Sequence, residues 1–175
     1  MKQLYAPWRE SYSASLAQNK SGSALTADEC VFCSSFNDNT DEQHLIFRRF
    51  SHMIVMLNLF PYNAGHILIL PIAHIANLDE LSPQARCELI ELTTHATTIV
   101  KEVLGCHGVN VGLNLGKAAG AGIPNHLHMH VLPRFAGDTN FLPVLADTKQ
   151  ISFDLPKMYQ KLKPSFDNIV FTQQL

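Results

Sequence analysis

Charge is scarce in this chain. Of 175 residues only 16% are charged, against about 25% in an ordinary globular protein. The formal balance is −2 with histidines neutral, so no broad basic field exists for a nucleic-acid backbone. A small phosphate-bearing ligand needs only local donors and stays open. Long apolar runs are also missing. No stretch approaches the ~20 residues that a membrane helix requires. The start, Met1-Lys2-Gln3-Leu4-Tyr5-Ala6-Pro7-Trp8, lacks the apolar core of a secretory signal, and the expected compartment is the cytoplasm. The four cysteines fit that compartment. Cys87 and Cys106 stand alone in or beside a helical segment, as small buried apolar residues do. Cys30 and Cys33 form a C-x-x-C pair, which inside a cell suggests zinc or redox work. A redox pair belongs at a strand-to-helix junction in a βαβ pattern. This one follows a polar stretch and precedes Ser34, Ser35, Asn37, Asp38 and Asn39, which argues against redox. No period of 20–50 residues repeats, so a solenoid is excluded.

What is present is the composition of one domain with a proper core: 175 residues, 46% apolar. Residues 9–29, rich in Ser, Ala, Asn and Lys, have no sustained period and read as a mobile or draped arm, with Trp8 and Tyr12 as anchors. Leu45–Phe47 and Met53–Leu57 read as strands joined by a tight turn near Arg48–Ser51. Pro61, Asn63 and Gly65 mark a turn, and His66–Pro71 is a buried strand closed by proline. Ser82-Pro83 starts a helix. Ala85, Leu89, Leu92, Ala96, Ile99, Val100, Val103 and Leu104 give it one apolar face, and Gly105 stops it. Val109–Leu115 alternates as another strand. The tail holds short strand-like and helical pieces punctuated by Pro143, Pro156 and Pro164. Connections near residues 50 and 60 are too short for crossovers, so the fold is α+β with a mainly antiparallel sheet.

The strongest local signal is Asn125-His126-Leu127-His128-Met129-His130-Val131-Leu132-Pro133-Arg134. Strict alternation is the period of a half-buried strand, placing three imidazoles on one face about 6.6 Å apart. Imidazole suits nucleophilic or proton-transfer chemistry near neutral pH; a metal cluster and chance surface residues are the alternatives. The preceding Gly116-Lys117-Ala118-Ala119-Gly120-Ala121-Gly122 fails as a P-loop, because position 111 is Val and Ala118 follows Lys117. It fails as a dinucleotide fingerprint, because Asn125 stands where glycine is needed. Small residues still let backbone amides form a nest for phosphate; a flexible hairpin loop is the plainer reading.

These residues resemble the histidine triad (HIT) superfamily of nucleotidyl hydrolases and transferases, whose signature His-φ-His-φ-His-φ-φ is matched from His126 to Leu132. The similarity runs from about Cys30 to Asn140. It includes Gly65-His66-Ile67-Leu68-Ile69-Leu70-Pro71 with His74 following, Asn114-Leu115-Gly116, and Leu132-Pro133-Arg134. Ala6-Pro7-Trp8-Arg9 and Ala136-Gly137-Asp138-Thr139-Asn140-Phe141 look most like the bacterial diadenosine tetraphosphate phosphorylase branch. The resemblance implies a HIT-like α+β fold with one long amphipathic helix, paired as a homodimer. Residues 30–175 would form the domain with a C-terminal extension, after an arm of 1–29.

It further implies that His128 Nε2 attacks the α-phosphorus of a bound nucleotide, giving a covalent intermediate that water or phosphate resolves. Attack needs a neutral Nε2, so Nδ1 must donate its proton, most simply to a backbone carbonyl. His130 would steady charge on the phosphate and His66 would buttress the site. Asn58 and Asn114 match nucleoside-contacting positions; Gly120, Ala121 and Gly122 would turn amides towards phosphate. Cys30, Cys33, His74 and His126 match the structural zinc ligands of galactose-1-phosphate uridylyltransferase relatives; the competing expectation is a metal-free branch with free thiols. No organic cofactor is implied. Two departures stand out. Gly122 replaces a glutamine common in triad hydrolases, and His130 stands where uridylyltransferases use glutamine. His44, His52, His95 and His107 match no motif position and are expected on surfaces or helix faces.

The expected function is cleavage of adenosine-containing polyphosphates such as diadenosine tetraphosphate. A nucleoside phosphoramidase is the alternative within the family, and a nucleotide-binding regulatory protein the alternative outside it. A purely structural zinc module leaves His128 and His130 unexplained.

Overall fold

A computed structural model describes residues 26–37, 40–146, 150–151 and 153–171. The expected arm, with Trp8 and Tyr12, lies outside these residues except at 26–29, where Ala27–Glu29 forms a single 3-10 turn. Strands β1 (Ile46–Arg49), β2 (Met53–Leu57), β3 (Ile67–Pro71), β4 (Gly108–Leu113) and β5 (Met129–Arg134) make one sheet in the order β1-β2-β3-β5-β4. Every neighbouring pair is antiparallel.

β2 and β3 are buried at every position, which is why both read as continuous apolar runs rather than alternating ones. Their alternation instead sorts residues between two cores. Met53, Val55, Leu57, Ile67 and Ile69 join the larger core beneath helix α2 (Pro83–Leu104). Ile54, Met56, Leu68 and Leu70 face the other way, against Cys30, Phe32 and Cys33 of a short helix α1 (Val31–Phe36) and its cap. Helix α2 is capped as its sequence demands. Ser82 Oγ accepts the Ala85 N–H at 3.1 Å, Pro83 occupies the first turn, and Gly105 adopts φ 65°.

Several boundaries move: β1 runs on through Arg48 and Arg49, so the turn expected near 48–51 sits at 50–52, and β3 starts at Ile67 rather than His66. The histidine strand starts at Met129 rather than at 126, because the Leu127 N–H donates to the Ile75 carbonyl (2.7 Å), outside the ladder. The strand expected over 109–115 ends at Leu113. The tail forms helices α3 (Leu142–Ala146) and α4 (Leu155–Asp167), with no strand among its described residues. Helix α4 is part of the main core. Its Tyr159 and Phe166 stack on Phe47 with ring centroids 5.3 and 4.6 Å apart. Arg48 Nη1 donates to the Asp167 and Ile169 carbonyls at 2.9 and 2.7 Å, closing the helix end.

Glu88 breaks the apolar face of α2 and is 2% exposed. Its Oε1 accepts the His52 and Met53 N–H groups, both at 2.9 Å, tying the β1–β2 turn to the helix. Removing the carboxylate leaves these two amides with no acceptor there, at about 1–3 kcal/mol per buried unsatisfied group. Glu88→Ala should therefore lower stability by about 2–4 kcal/mol in urea unfolding, with Glu88→Gln milder. An unchanged midpoint would show that the carboxylate contributes nothing.

Candidate active site and metal centre

The alternation at 126–130 does separate two chemistries. Leu127 and Met129 enter the larger core, while His126, His128 and His130 lie on the opposite side, His128 and His130 with ring centroids 4.9 Å apart. Each imidazole is oriented by a different partner.

His128 Nδ1 lies 2.7 Å from the His126 carbonyl. A carbonyl only accepts, so Nδ1 carries the proton and Nε2 keeps its lone pair. Burial lowers the pKa of His128 below 6.5, partly opposed by that backbone hydrogen bond, so the ring is neutral near pH 7. This is the protonation state that attack requires.

His66 Nδ1 accepts the Tyr62 N–H at 3.1 Å and faces Asn58 Nδ2 at 3.2 Å. Asn58 is itself held, its Oδ1 accepting the Phe60 N–H at 3.0 Å. The His66 proton must then sit on Nε2, which lies 2.9 Å from His130 Nδ1. His130 Nδ1 becomes the acceptor, and its own proton moves to Nε2. Asn114 lies beside that nitrogen, its Nδ2 at 3.5 Å; with Nε2 protonated two donors would meet there, so the amide must turn to bring Oδ1 to the ring. A chain of tautomers thus runs from a backbone amide to a donor beside His128. Burial, reinforced by His130 and His128, depresses the His66 pKa to about 3, which keeps the His66 ring neutral. The turn before His66 depends on Gly65, with φ 75° and a Cβ position already occupied by Leu104.

A cleft of ≈ 330 Å³ opens onto His128 and His130, bordered by Asn58, Met56, Leu68, Gly122 and Ile123. Its volume falls within the range of small-molecule sites, which are mostly apolar with a few placed polar groups. Of the three loop amides expected to face phosphate, Gly120 donates to the Lys117 carbonyl (3.0 Å) and Ala121 to that of Gly116 (3.3 Å). Gly122 is the one of the three that borders the cleft. The late motif works in the frame around the site. Asn63 Nδ2 donates to the Pro133 carbonyl and to Asp138 Oδ2, both at 2.9 Å, and Asp138 pairs with Arg134 at 2.8 Å.

Several residues of the cleft escaped the sequence reading. His44 lines it, as do Leu59, Phe60 and Tyr62, and Tyr62 stacks on His130 at 5.6 Å. Val31, Phe32 and Ser35 of α1 form another part of the wall. The available signal was the aromatic pair Phe60 and Tyr62 just ahead of His66. His52 is exposed, His95 lies against Phe171 (6.0 Å), and His107 Nδ1 accepts the Ala136 N–H.

Cys30, Cys33, His74 and His126 come together behind the cleft, their donor atoms all within 4.8 Å of one another. Cys30 Sγ and Cys33 Sγ lie 3.4 and 3.5 Å from His126 Nδ1, and Cys33 Sγ lies 3.3 Å from His74 Nδ1. A tetrahedral ion with bonds of ~2.3 Å to sulfur and ~2.0 Å to nitrogen separates those atoms by about 3.5 Å. The residues therefore fit a zinc-class ion. His126 Nε2 is 2.9 Å from the Pro71 carbonyl, so it holds the proton and leaves Nδ1 free to ligate, the usual outer-shell arrangement. Burial, with His74 nearby and against the Pro71 bond, lowers the His126 pKa to about 4, favouring the neutral, ligating ring.

Among the described residues no helix is long and apolar enough to cross a membrane. An AP-4-A phosphorylase of Mycobacterium tuberculosis is 34% identical over 151 residues, covering 86% of this chain and 77% of that protein. A bis(5'-nucleosyl)-tetraphosphatase [asymmetrical] of Schizosaccharomyces pombe is 28% identical over 93 residues, 53% of this chain and 50% of that one. Among solved structures, a zinc-bound histidine triad family protein from Mycobacterium smegmatis shares the fold. Its TM-score is 0.64 at 23% identity, over 81% of this chain and 96% of that chain. Residues 39–137 match the HIT domain, and with these relatives the chain belongs to the histidine triad family.

Proposed function

We propose that the protein is a nucleotidyl hydrolase or transferase acting on adenine dinucleoside polyphosphates such as diadenosine tetraphosphate. One observation carries the reading: the His128 ring is held by its Nδ1 proton on a backbone carbonyl and borders the cleft. In the first step Nε2 bonds to the α-phosphorus. The bond from phosphorus to the bridging oxygen breaks, and the leaving polyphosphate takes its electron pair. In the second step a water or phosphate oxygen displaces the imidazole. Splitting the displacement in two is the gain of covalent catalysis. His130, protonated on Nε2, would donate to the charged phosphate oxygens, and His66 would fix that tautomer. Asn58, Asn114 and the amide of Gly122 would hold the nucleotide.

A structural zinc ion held by Cys30, Cys33, His74 and His126 belongs to the same reading. When bound, it supplies a closed tetrahedral anchor rather than a Lewis acid. A homodimer, a cytoplasmic setting and a division between arm and domain near residue 30 belong to this reading as well. The early and late motifs, and the named mycobacterial relative, favour phosphate over water as acceptor.

The test is to incubate the protein with diadenosine tetraphosphate, with and without inorganic phosphate, and resolve the nucleotides. ADP and ATP formed only with phosphate are expected. AMP and ATP would assign water as the acceptor. No product from any dinucleoside polyphosphate would overturn the reading.

A further inference from the structure

Helix α1 interleaves two sets of side chains. Cys30, its cap, and Cys33 turn towards His74 and His126. Val31, Phe32 and Ser35 border the cleft alongside Met56, Leu68 and Ile123. The Phe32 ring touches both worlds, with centroids 5.4 Å from His126 and 5.5 Å from His128. Val31 is 45% exposed, an apolar side chain at the cleft rim that a flat base would cover.

Six residues make a helix that has little stability of its own, since isolated helices under ~12 residues are marginal in water. Val, Phe, Cys and Ser add only weak helix propensity. Among the described residues, this wall is fastened to the sheet by the small core around Phe32, a bond from Arg49 Nη1 to the Phe36 carbonyl (2.9 Å), the Phe36–His126 ring contact (5.8 Å) and the sulfur–imidazole cluster. The cluster joins α1 to the segments that follow β3 and precede β5, so an ion there would clamp three separate stretches of chain at the edge of the cleft.

We propose that α1 is a metal-dependent wall of the nucleotide pocket. With a thiolate-binding divalent ion on Cys30, Cys33, His74 and His126, the side chains of Val31, Phe32 and Ser35 close against the base. Without the ion that wall is lost and nucleotide affinity falls. The inference rests on the nucleotide reading of the cleft, and it makes metal occupancy a control on substrate binding rather than on the chemistry at phosphorus.

AMP is the probe, titrated calorimetrically into the full chain loaded with zinc, stripped by a chelator, and reloaded. Stripping should raise the Kd for AMP at least tenfold, reloading should restore it, and the far-UV circular dichroism of the sheet and α2 should persist. Val31→Glu leaves all four donors in place; it should keep one zinc per chain yet weaken AMP at least tenfold. A stripped chain that loses the circular dichroism of its sheet would also overturn the inference, because the ion would then hold the whole fold rather than the wall. Stripped, folded protein that binds AMP as tightly as loaded protein, or unaltered affinity in Val31→Glu, would overturn the inference alone. A chain that binds AMP tightly and takes up no zinc would do the same. Loaded protein that binds no AMP would sink the nucleotide reading and this inference with it.

Discussion

His128→Ala should lose turnover of diadenosine tetraphosphate by roughly 10⁴- to 10⁶-fold, the scale on which removing a covalent nucleophile acts. The variant should still bind nucleotide, because the cleft is walled by Met56, Leu68, Ile123 and the α1 side chains rather than by the imidazole alone. Product formation gives the first quantity and calorimetric titration of AMP the second. Normal turnover by this variant would remove His128 as nucleophile. The pH dependence carries the same signature. Burial lowers the His128 pKa below 6.5, so the neutral nucleophile survives as pH falls through 6.5 and is protonated only below it. The acid limb of kcat/KM should accordingly lie under 6.5; a limb above that value would mean that an exposed or charge-stabilised histidine governs the rate.

How far such chemistry was legible in the sequence depends on whether its cause is local. Ser82, Pro83 and Gly105 act within a turn of themselves, so both ends of α2 could be read directly. The alternation from His126 to Val131 also reports a local backbone property, and it sorted the imidazoles from the core side chains. It could not show where the ladder begins, because that depends on the Leu127 amide leaving the sheet for Ile75, about fifty residues back in the chain. The same holds for Glu88. A carboxylate among apolar helix positions looks like a break in pattern until two amides from a distant turn are seen to need it.

The loop glycines illustrate a different limit. Small residues announce that backbone can approach a ligand, but not which amides stay free. Gly120 and Ala121 use theirs to close the turn that presents Gly122. The prolines of the tail read as punctuation, yet Pro156 sits in the first turn of α4 behind the Asp154 cap, where a missing N–H costs little. His44 entered the cleft without any motif, because Met56, Leu68 and Ile123 line it from other parts of the chain.

The second large effect concerns the metal. Cys30→Ser replaces one of four donors with a hydroxyl that is a far poorer zinc ligand than a thiolate, while leaving the shape of the residue almost unchanged. Outer-shell changes alone cost 10–100-fold in metal affinity, so loss of an inner donor should exceed that. Elemental analysis should find about one zinc per wild-type chain and little in Cys30→Ser. Cys87→Ser, at a thiol on α2 that is exposed rather than buried as its sequence setting suggested, should match wild type, which separates ligation from a general effect of thiol number. Stability should follow occupancy, because an ion that binds only the folded chain contributes about 4 kcal/mol at a thousandfold excess over its Kd. The loss should be local. The larger core, with α2, α4 and Phe47, lies on the far face of the sheet from Cys30 and Cys33. A stripped or Cys30→Ser chain should thus melt earlier yet keep the circular dichroism of its sheet and long helix. Equal zinc in Cys30→Ser and wild type would strike Cys30 from the ligand set, and the 3.4 Å approach of its sulfur to His126 would then be a thiol hydrogen bond and no more.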